Sequence, residues 1–333
     1  MLILSERDLR SVLTMKDVIE VVEEGFRAFE RGDARAPERL LLSIPEHKGV
    51  MLEMPACSVQ SGGTESRRGA LGTKLVTVFD ENPERGLDTI QSVYLLLDNE
   101  TGQPMALMEG RFITAIRTAA TSAVATRHMA GSGPQRLALF GAGVQAHFHL
   151  DAMIEVAEVE SVAVVSRTDA KGRALTDRVE SQYSHPCRLM SPEEAAAWAT
   201  LICACTSAGT PLFDGNLLGP GVHINAIGAF SPTTRELDTA TVRRARVIVD
   251  AQSAAGREAG DILIPIAEGA VSADYVKGTL GEVVSGKVAG RQSADEITVF
   301  KSCGLAIEDL VTAQLAYDKA RALGIGTEVS LSS

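Results

Sequence analysis

Apolar residues at Met15, Val18, Ile19, Val22, Phe26 and Phe29 recur at the spacing of one helix face and predict an amphipathic helix through MKDVIEVVEEGFRAFERGDA. Just ahead of it, Ser5 with Asp8 has the form of a capping box. The pattern then shortens to the alternation of strands, expected over residues 39–44, 49–54, 70–79 and 91–97. The last of these meets the turn DNETG and then PMALMEG, which predicts a hairpin. SVQSGGTESRRG, residues 58–69, is polar and glycine-rich, the composition of a mobile surface loop. Residues 111–130, RFITAIRTAATSAVATRHMA, form a helix of small residues that stops before GSGP.

From Pro134 strand and helix alternate: LALF, a helix opened by GAGVQA, VAVVS, a helix near residues 171–182, CRLM, and a helix started by Ser191, Pro192 and Glu194. LICACTSA, VHINAIGAF and ARVIVDA follow as strands. Repeated βα units predict a mostly parallel, doubly wound sheet whose ligand lies at the C-terminal edge of its strands. The final segment, from ITVF onward, holds a short strand and a long helix with Leu305, Ile307, Leu310, Val311 and Leu315. The expected fold is α/β, a Rossmann-like doubly wound parallel sheet joined to an α+β domain.

Between the first two of those parallel strands lies the pattern with the most specific chemistry. The apolar run Leu137 to Phe140 passes into Gly141, Gly143 and Ala146, the spacing of the dinucleotide fingerprint. Gly141 makes the tight turn, Gly143 lets backbone approach a pyrophosphate, and Ala146 lets the helix pack on the sheet. The phosphates then meet free N–H groups at a helix N-terminus. Thr206, Ser207, Ile227 and Gly228 fall at later strand ends, where the alternative is ordinary loop chemistry. Arg117 sits among Thr, Ala and Ile, a position equally suited to a ligand contact or to a close-packed helix whose Arg reaches solvent.

Length, at 333 residues, suits two domains, and 45% hydrophobic with 23% charged residues is ordinary for a globular chain. A net charge of −11 argues against nucleic acid and against an anionic membrane surface. MLILSERDLR meets charge too early for a secretory signal, and no apolar run has the length of a membrane span, so cytoplasm is the expected location. Five cysteines read as reduced thiols, with Cys203 and Cys205 on one strand face as core. The six histidines form no HExxH pattern, and no metal is expected.

EMPA (residues 53–56), GTKLV (72–76), IRTAATSAVAT (116–126), GAGVQA (141–146), NAIGAFSP (225–232), ELD (236–238) and GRQSADEITVFKSCGLAIEDL (290–310) together resemble the ornithine cyclodeaminase and mu-crystallin family. The resemblance implies a homodimer. Residues 1–115 with 310–333 correspond to its substrate-binding and dimerisation domain, and 116–309 to its Rossmann-like NAD(P)-binding domain. It also implies that a substrate carboxylate is gripped by Arg39, with Arg35 close by, and by Lys74 and Arg117. Guanidinium forks suit such a carboxylate. By the same analogy Thr118, Val144, Gln145, Ser166, Thr168, Lys301 and Ser302 join the strand-end residues around the cofactor.

Departures from the family pattern set the expected reaction. Cyclodeaminases carry an Asp after the NA(V/I)G segment, where this chain has Phe230, and a Glu two residues before the Met-Pro pair, where it has Leu52. Glu53 is one step along and faces the other way on a strand. Deprotonating an ammonium group needs such carboxylates. Reducing an imine that is already protonated does not. The second strand of the fingerprint ends in Ser166, Arg167 and Thr168 rather than an acid, which favours NADP(H), while Asp169 leaves NAD(H) open. The expected activity is NAD(P)H-dependent reduction of Δ1-pyrroline-2-carboxylate, and of Δ1-piperideine-2-carboxylate, to L-proline and L-pipecolate. Lys74 is the expected catalytic residue, and Leu52 and Phe230 are expected to line the ring. Ornithine cyclodeaminase activity, alanine dehydrogenase activity and mu-crystallin-like NADPH-dependent ligand binding are the alternatives.

Overall fold

The computed structural model describes residues 1–59 and 69–331, so most of the polar stretch expected as a loop lies outside the described residues. The chain divides into two compact units, Met1–Thr118 with Leu305–Ser333, and Ala119–Gly304.

The first unit begins with β1 (Leu2–Leu4), α1 (Glu6–Val12) and α2 (Met15–Arg31). The Ser5–Asp8 capping box forms at the start of α1, and α2 ends where Gly32 turns left-handed at φ +82°. There follow β2 (Ala34–Arg35), β3 (Leu40–Ile44), β4 (Gly49–Ser58), β5 (Ala70–Phe79), β6 (Ile90–Asp98), β7 (Pro104–Glu109) and α3 (Gly110–Met129), whose residues from Ala119 onward belong to the second unit. Residues Thr327–Glu328 return as an edge strand, giving the order 327–328, β1, β7, β6, β5, β4, β2, with β3 also on β4. β4 runs on to Ser58, past the expected end at Met54. The reason lies in its partners. β3 pairs with residues 49–53 and β2 with residues 57–58, so Pro55, which lacks an N–H, falls in the gap between them.

Period-two alternation divides this sheet into two faces. Met54, Ala56, Ala70, Lys74, Val76, Tyr94, Leu96, Ala106 and Met108 are buried. This face lies against the C-terminal helix Ala306–Leu323, which also packs on α2. The opposite face keeps apolar side chains in the open: Leu40, Leu75 and Val93, 55%, 37% and 41% exposed, stand with Glu53 in one row across β3 to β6.

The second unit is the doubly wound one. Its strands β8 (Gln135–Phe140), β9 (Val159–Val165), β10 (Cys187–Leu189), β11 (Leu201–Ala204), β12 (His223–Ala226), β13 (Ala245–Val249), β14 (Gly278–Thr279) and β15 (Ile297–Lys301) make one sheet, ordered β10-β9-β8-β11-β12-β15-β13-β14. Every pair is parallel. Strand order reverses between β8 and β11, the position where such sheets bind ligands. ITVF, expected as a short strand, is a fully buried one, inserted between β12 and β13. The Ser191 capping box with Pro192 at the first helical position starts helix Pro192–Trp198 as expected. No helix among the described residues is long and apolar enough to cross a membrane.

Candidate functional site

At the switch point, β8 ends in Gly141, whose φ of +108° lies in the region open to glycine. A Cβ there would stand 2.6 Å from the carbonyl oxygen of Cys205, just beyond β11, so glycine is required twice over. Gly143 is different. It is the N-cap of α4 (Val144–Val156), its own conformation is extended, and a Cβ on it would meet nothing within 4 Å. No side chain caps α4. An open glycine before an uncapped helix start is the form a pyrophosphate requires, so the residues fit a dinucleotide. Val144, in the first turn, is 65% exposed.

α4 is tied down from behind. His149 and Ser122 are both fully buried, with His149 Nε2 2.9 Å from Ser122 Oγ and Nδ1 2.8 Å from the Gln145 carbonyl. A carbonyl only accepts, so Nδ1 carries the proton and the Ser122 hydroxyl donates to Nε2. Burial lowers the His149 pKa to about 4, which keeps the ring neutral. This buried Ser-His pair ties α4 to α3.

At the end of β9, Ser166 Oγ and the Thr168 backbone bond each other. Arg167 is exposed and makes no hydrogen bond or ion pair among the described residues. Asp169, the acid that could have held a ribose hydroxyl, lies 3.4 Å from Arg173. Beyond β11 and β12, Thr206 and Gly228 both face the buried carboxylate of Glu236, while Ser207 is exposed and Phe230 is 53% exposed. The Ile227 N–H bonds the Ala204 carbonyl. Lys301 and Ser302 are buried: the Lys301 ammonium binds Asp261 and the Ala229 carbonyl, and the Ser302 hydroxyl donates to Asp250. In the first unit, the Thr118 hydroxyl turns back to the Thr114 carbonyl of its own helix.

The first unit holds a second constellation. Lys74, on the buried face of β5, is 2% exposed, and its ammonium lies 2.9 Å from both oxygens of Asp309. Arg117 donates from Nε to Asp309 at 3.0 Å and from Nη1 to Glu308 at 2.6 Å. Glu308 also accepts the Leu305 N–H, so one side chain caps the C-terminal helix and holds Arg117. Burial lowers the Lys74 pKa to about 8, with Arg117 adding to the push and Asp309 opposing it. Burial works to raise the Asp309 pKa, but Arg117 and Lys74 outweigh it and keep the carboxylate ionised. Asp309 is the only partner of Lys74 among the described residues, so one of its three ammonium protons is uncommitted.

Leu52 and Met54 share the Lys74 face of the sheet, and Glu53 lies on the other, opposite Leu75. Arg39 directly precedes β3, and continuing that register sets it opposite Met54, on the Lys74 side. Arg35 pairs with Cys57, whose pleat points the other way. The sequence reading omitted Glu308, Asp309 and Glu236. The one local sign was two acids, flanked by Ile307 and Leu310, in a helix turn that is buried all round.

A family model for the ornithine cyclodeaminase/mu-crystallin family matches residues 1–324. The chain is 36% identical over 331 residues to a Delta(1)-pyrroline-2-carboxylate reductase of Bacillus cereus, covering 99% of each. Among solved structures it is similar to Thermococcus litoralis Delta(1)-pyrroline-2-carboxylate reductase in complex with NADH and L-proline, at a TM-score of 0.93 and 38% identity, with 99% of this chain and 100% of that one covered. It is also similar to an archaeal alanine dehydrogenase dimer with bound NAD, at a TM-score of 0.92 and 29% identity, covering 100% and 99%.

Proposed function

The chain belongs to the ornithine cyclodeaminase/mu-crystallin family, and within it we propose a nicotinamide-dependent reductase that converts Δ1-pyrroline-2-carboxylate, and Δ1-piperideine-2-carboxylate, to L-proline and L-pipecolate. The observation that carries this reading is the buried Lys74 ammonium, fixed by Asp309 with one proton to spare and a pKa of about 8. A group of that kind donates a proton near neutral pH. The similar reductases, one of them solved with NADH and L-proline, support the substrate class.

In this mechanism the Lys74 ammonium gives its free proton to the imine nitrogen. Asp309 orients it and compensates its charge throughout. Arg117, steadied by Glu308 and Asp309, and Arg39 take the substrate carboxylate. The formal charges of Lys74 and Arg117 cancel those of Glu308 and Asp309. Leu52 and Phe230 stand at the positions where a cyclodeaminase carries the acids that deprotonate an ammonium and steer a second amine. Gly141, Gly143, Val144 and Gln145 would hold the dinucleotide, with Thr118, Ser166, Arg167, Thr168, Thr206, Ser207, Ile227 and Gly228 completing its site. When bound, the cofactor supplies the hydride that reduces the ring carbon bearing the carboxylate.

NADP(H) is the proposed preference, because Arg167, exposed and without a hydrogen bond or ion pair among the described residues, stands at the strand end where an acid would select NAD(H). Arg167→Asp is expected to weaken NADPH binding by about tenfold or more, since a charge-assisted bond contributes roughly 1.5–3 kcal/mol, and to leave NADH binding nearly unchanged. Fluorescence titration of both cofactors reads this directly. Equal losses for the two cofactors would remove Arg167 from the discrimination.

A homodimer is also proposed. The open apolar face of the first unit's sheet, with Leu40, Leu75 and Val93, supports it, as does the similar alanine dehydrogenase dimer.

The deciding experiment is a cofactor-oxidation assay with both ring sizes and both cofactors. We expect NADPH consumption with formation of L-proline or L-pipecolate. Ammonia release from ornithine with NAD points to cyclodeamination, alanine from pyruvate and ammonium to a dehydrogenase, and tight NADPH binding without turnover to a binding protein.

A further inference from the structure

Two of the loops that leave the C-terminal edge of the second unit's sheet are gathered by one wholly buried acid. Glu236 is 0% exposed. Its Oε1 accepts the Thr206 backbone N–H at 2.8 Å and the Thr206 hydroxyl at 2.6 Å, and its Oε2 accepts the Gly228 N–H at 2.6 Å. Thr206 follows β11 and Gly228 follows β12, adjacent strands beside the switch point. The approach is close enough that a Cβ on Gly228 would lie 2.0 Å from the Thr206 carbonyl oxygen.

Glu236 is itself held. Asp261 accepts the N–H groups of Glu236 and Leu237 at 2.7 and 2.8 Å, and its other oxygen lies 2.9 Å from the Lys301 ammonium. Lys301 also donates to the carbonyl of Ala229, next in chain to Gly228. A buried carboxylate is expensive to desolvate, and an apolar side chain of equal volume would fill the same space at less cost. What the acid does, and an apolar residue would not, is fix three donors of two neighbouring turns at once.

We infer that Glu236 is a positioning residue for the nicotinamide cofactor: it draws the Thr206 and Gly228 N–H groups inward, so that the exposed residues beside them, Ser207 and Phe230, are presented in one fixed arrangement. Lys301 and Asp261 serve the same arrangement from below and do not touch the cofactor. This inference rests on the proposed nicotinamide dependence.

Glu236→Gln tests it. The amide can still accept on one side, but it sets an NH2 group against either the Thr206 or the Gly228 N–H. In this protein, the dissociation constant for NADPH should rise about tenfold, equivalent to 1.4 kcal/mol, with the KM for NADPH rising in parallel, and NADH serves as the probe if the wild-type protein binds it instead. The kcat at saturating cofactor should stay within about threefold, because the group acts on binding and not on the proton donor. A fall in thermal midpoint with cofactor affinity unchanged would overturn the inference and leave Glu236 a structural acid. Hydrogen exchange on the wild-type protein gives a second test that needs no variant. Addition of the same cofactor should slow exchange in the segments 204–208 and 226–230, and unaltered exchange there despite cofactor binding would also overturn it. Failure of the wild-type protein to bind NADH or NADPH at all would instead overturn the cofactor reading beneath it.

Discussion

Replacing Lys74 with methionine is expected to lower kcat for imine reduction by about 10²–10⁴-fold, the range a positioned proton donor supplies, with cofactor affinity nearly unchanged. Methionine keeps most of the side chain's volume and removes the ammonium. Asp309 retains Arg117 as a partner, so the stability loss should fall at or below the low end of the roughly 3–5 kcal/mol typical of a broken buried pair. The variant should therefore fold, which circular dichroism and cofactor titration can verify before the assay. The wild-type pH profile provides the matching observation. The donor is the ammonium form, which is present below its pKa and lost above it, so kcat should decline above about pH 8. The residual activity of the methionine variant should lack that decline. A folded Lys74→Met protein with wild-type kcat and the same alkaline fall would remove Lys74 from the chemistry.

Lys74 also marks the limit of what local sequence conveys. The strand around it was legible from alternation, and its likeness to a family strand suggested a carboxylate contact. Its partner was not legible, because Asp309 lies 235 residues further along the chain and joins it only through packing of the C-terminal helix on β5. Glu308 and Asp309 stand in the first turn of that helix, where acids are commonplace as caps and as partners of the helix dipole. Nothing local distinguished a capping acid from one that also holds a buried guanidinium. An edge drawn at residue 310 likewise leaves out both acids, whereas the compact unit begins at Leu305 and includes them.

The doubly wound sheet was far easier to read. A buried parallel strand is a short apolar run in any context, and strand, turn and helix follow within about a dozen residues. β15 shows where this fails. ITVF has the composition of a buried strand, but no rule of adjacency places the last strand between β12 and β13. That placement brings Lys301 to the Ala229 carbonyl and to Asp261, a use of the side chain that analogy with the cofactor border did not suggest. The same holds for Thr206, whose hydroxyl turns inward to Glu236.

The fingerprint turn yields the other large expected effect, a separation of stability from binding by two glycines two residues apart. Gly141→Ala should destabilise the protein by about 3 kcal/mol or more: the left-handed conformation costs a residue with a Cβ roughly 1–2 kcal/mol, and the clash with the Cys205 carbonyl at 2.6 Å adds backbone strain. Gly143→Val should leave the thermal midpoint of the unliganded protein almost unmoved, since its Cβ enters open space. Its cost appears only with cofactor, as a loss of about tenfold to a hundredfold in affinity, the effect of roughly 1–3 kcal/mol of overpacking. Thermal unfolding and cofactor titration of the two variants measure both halves. If Gly143→Val binds NADH and NADPH as tightly as the wild-type protein, the pyrophosphate does not approach this turn. The open space over Gly143 would then need another occupant, and the uncapped start of α4 another explanation.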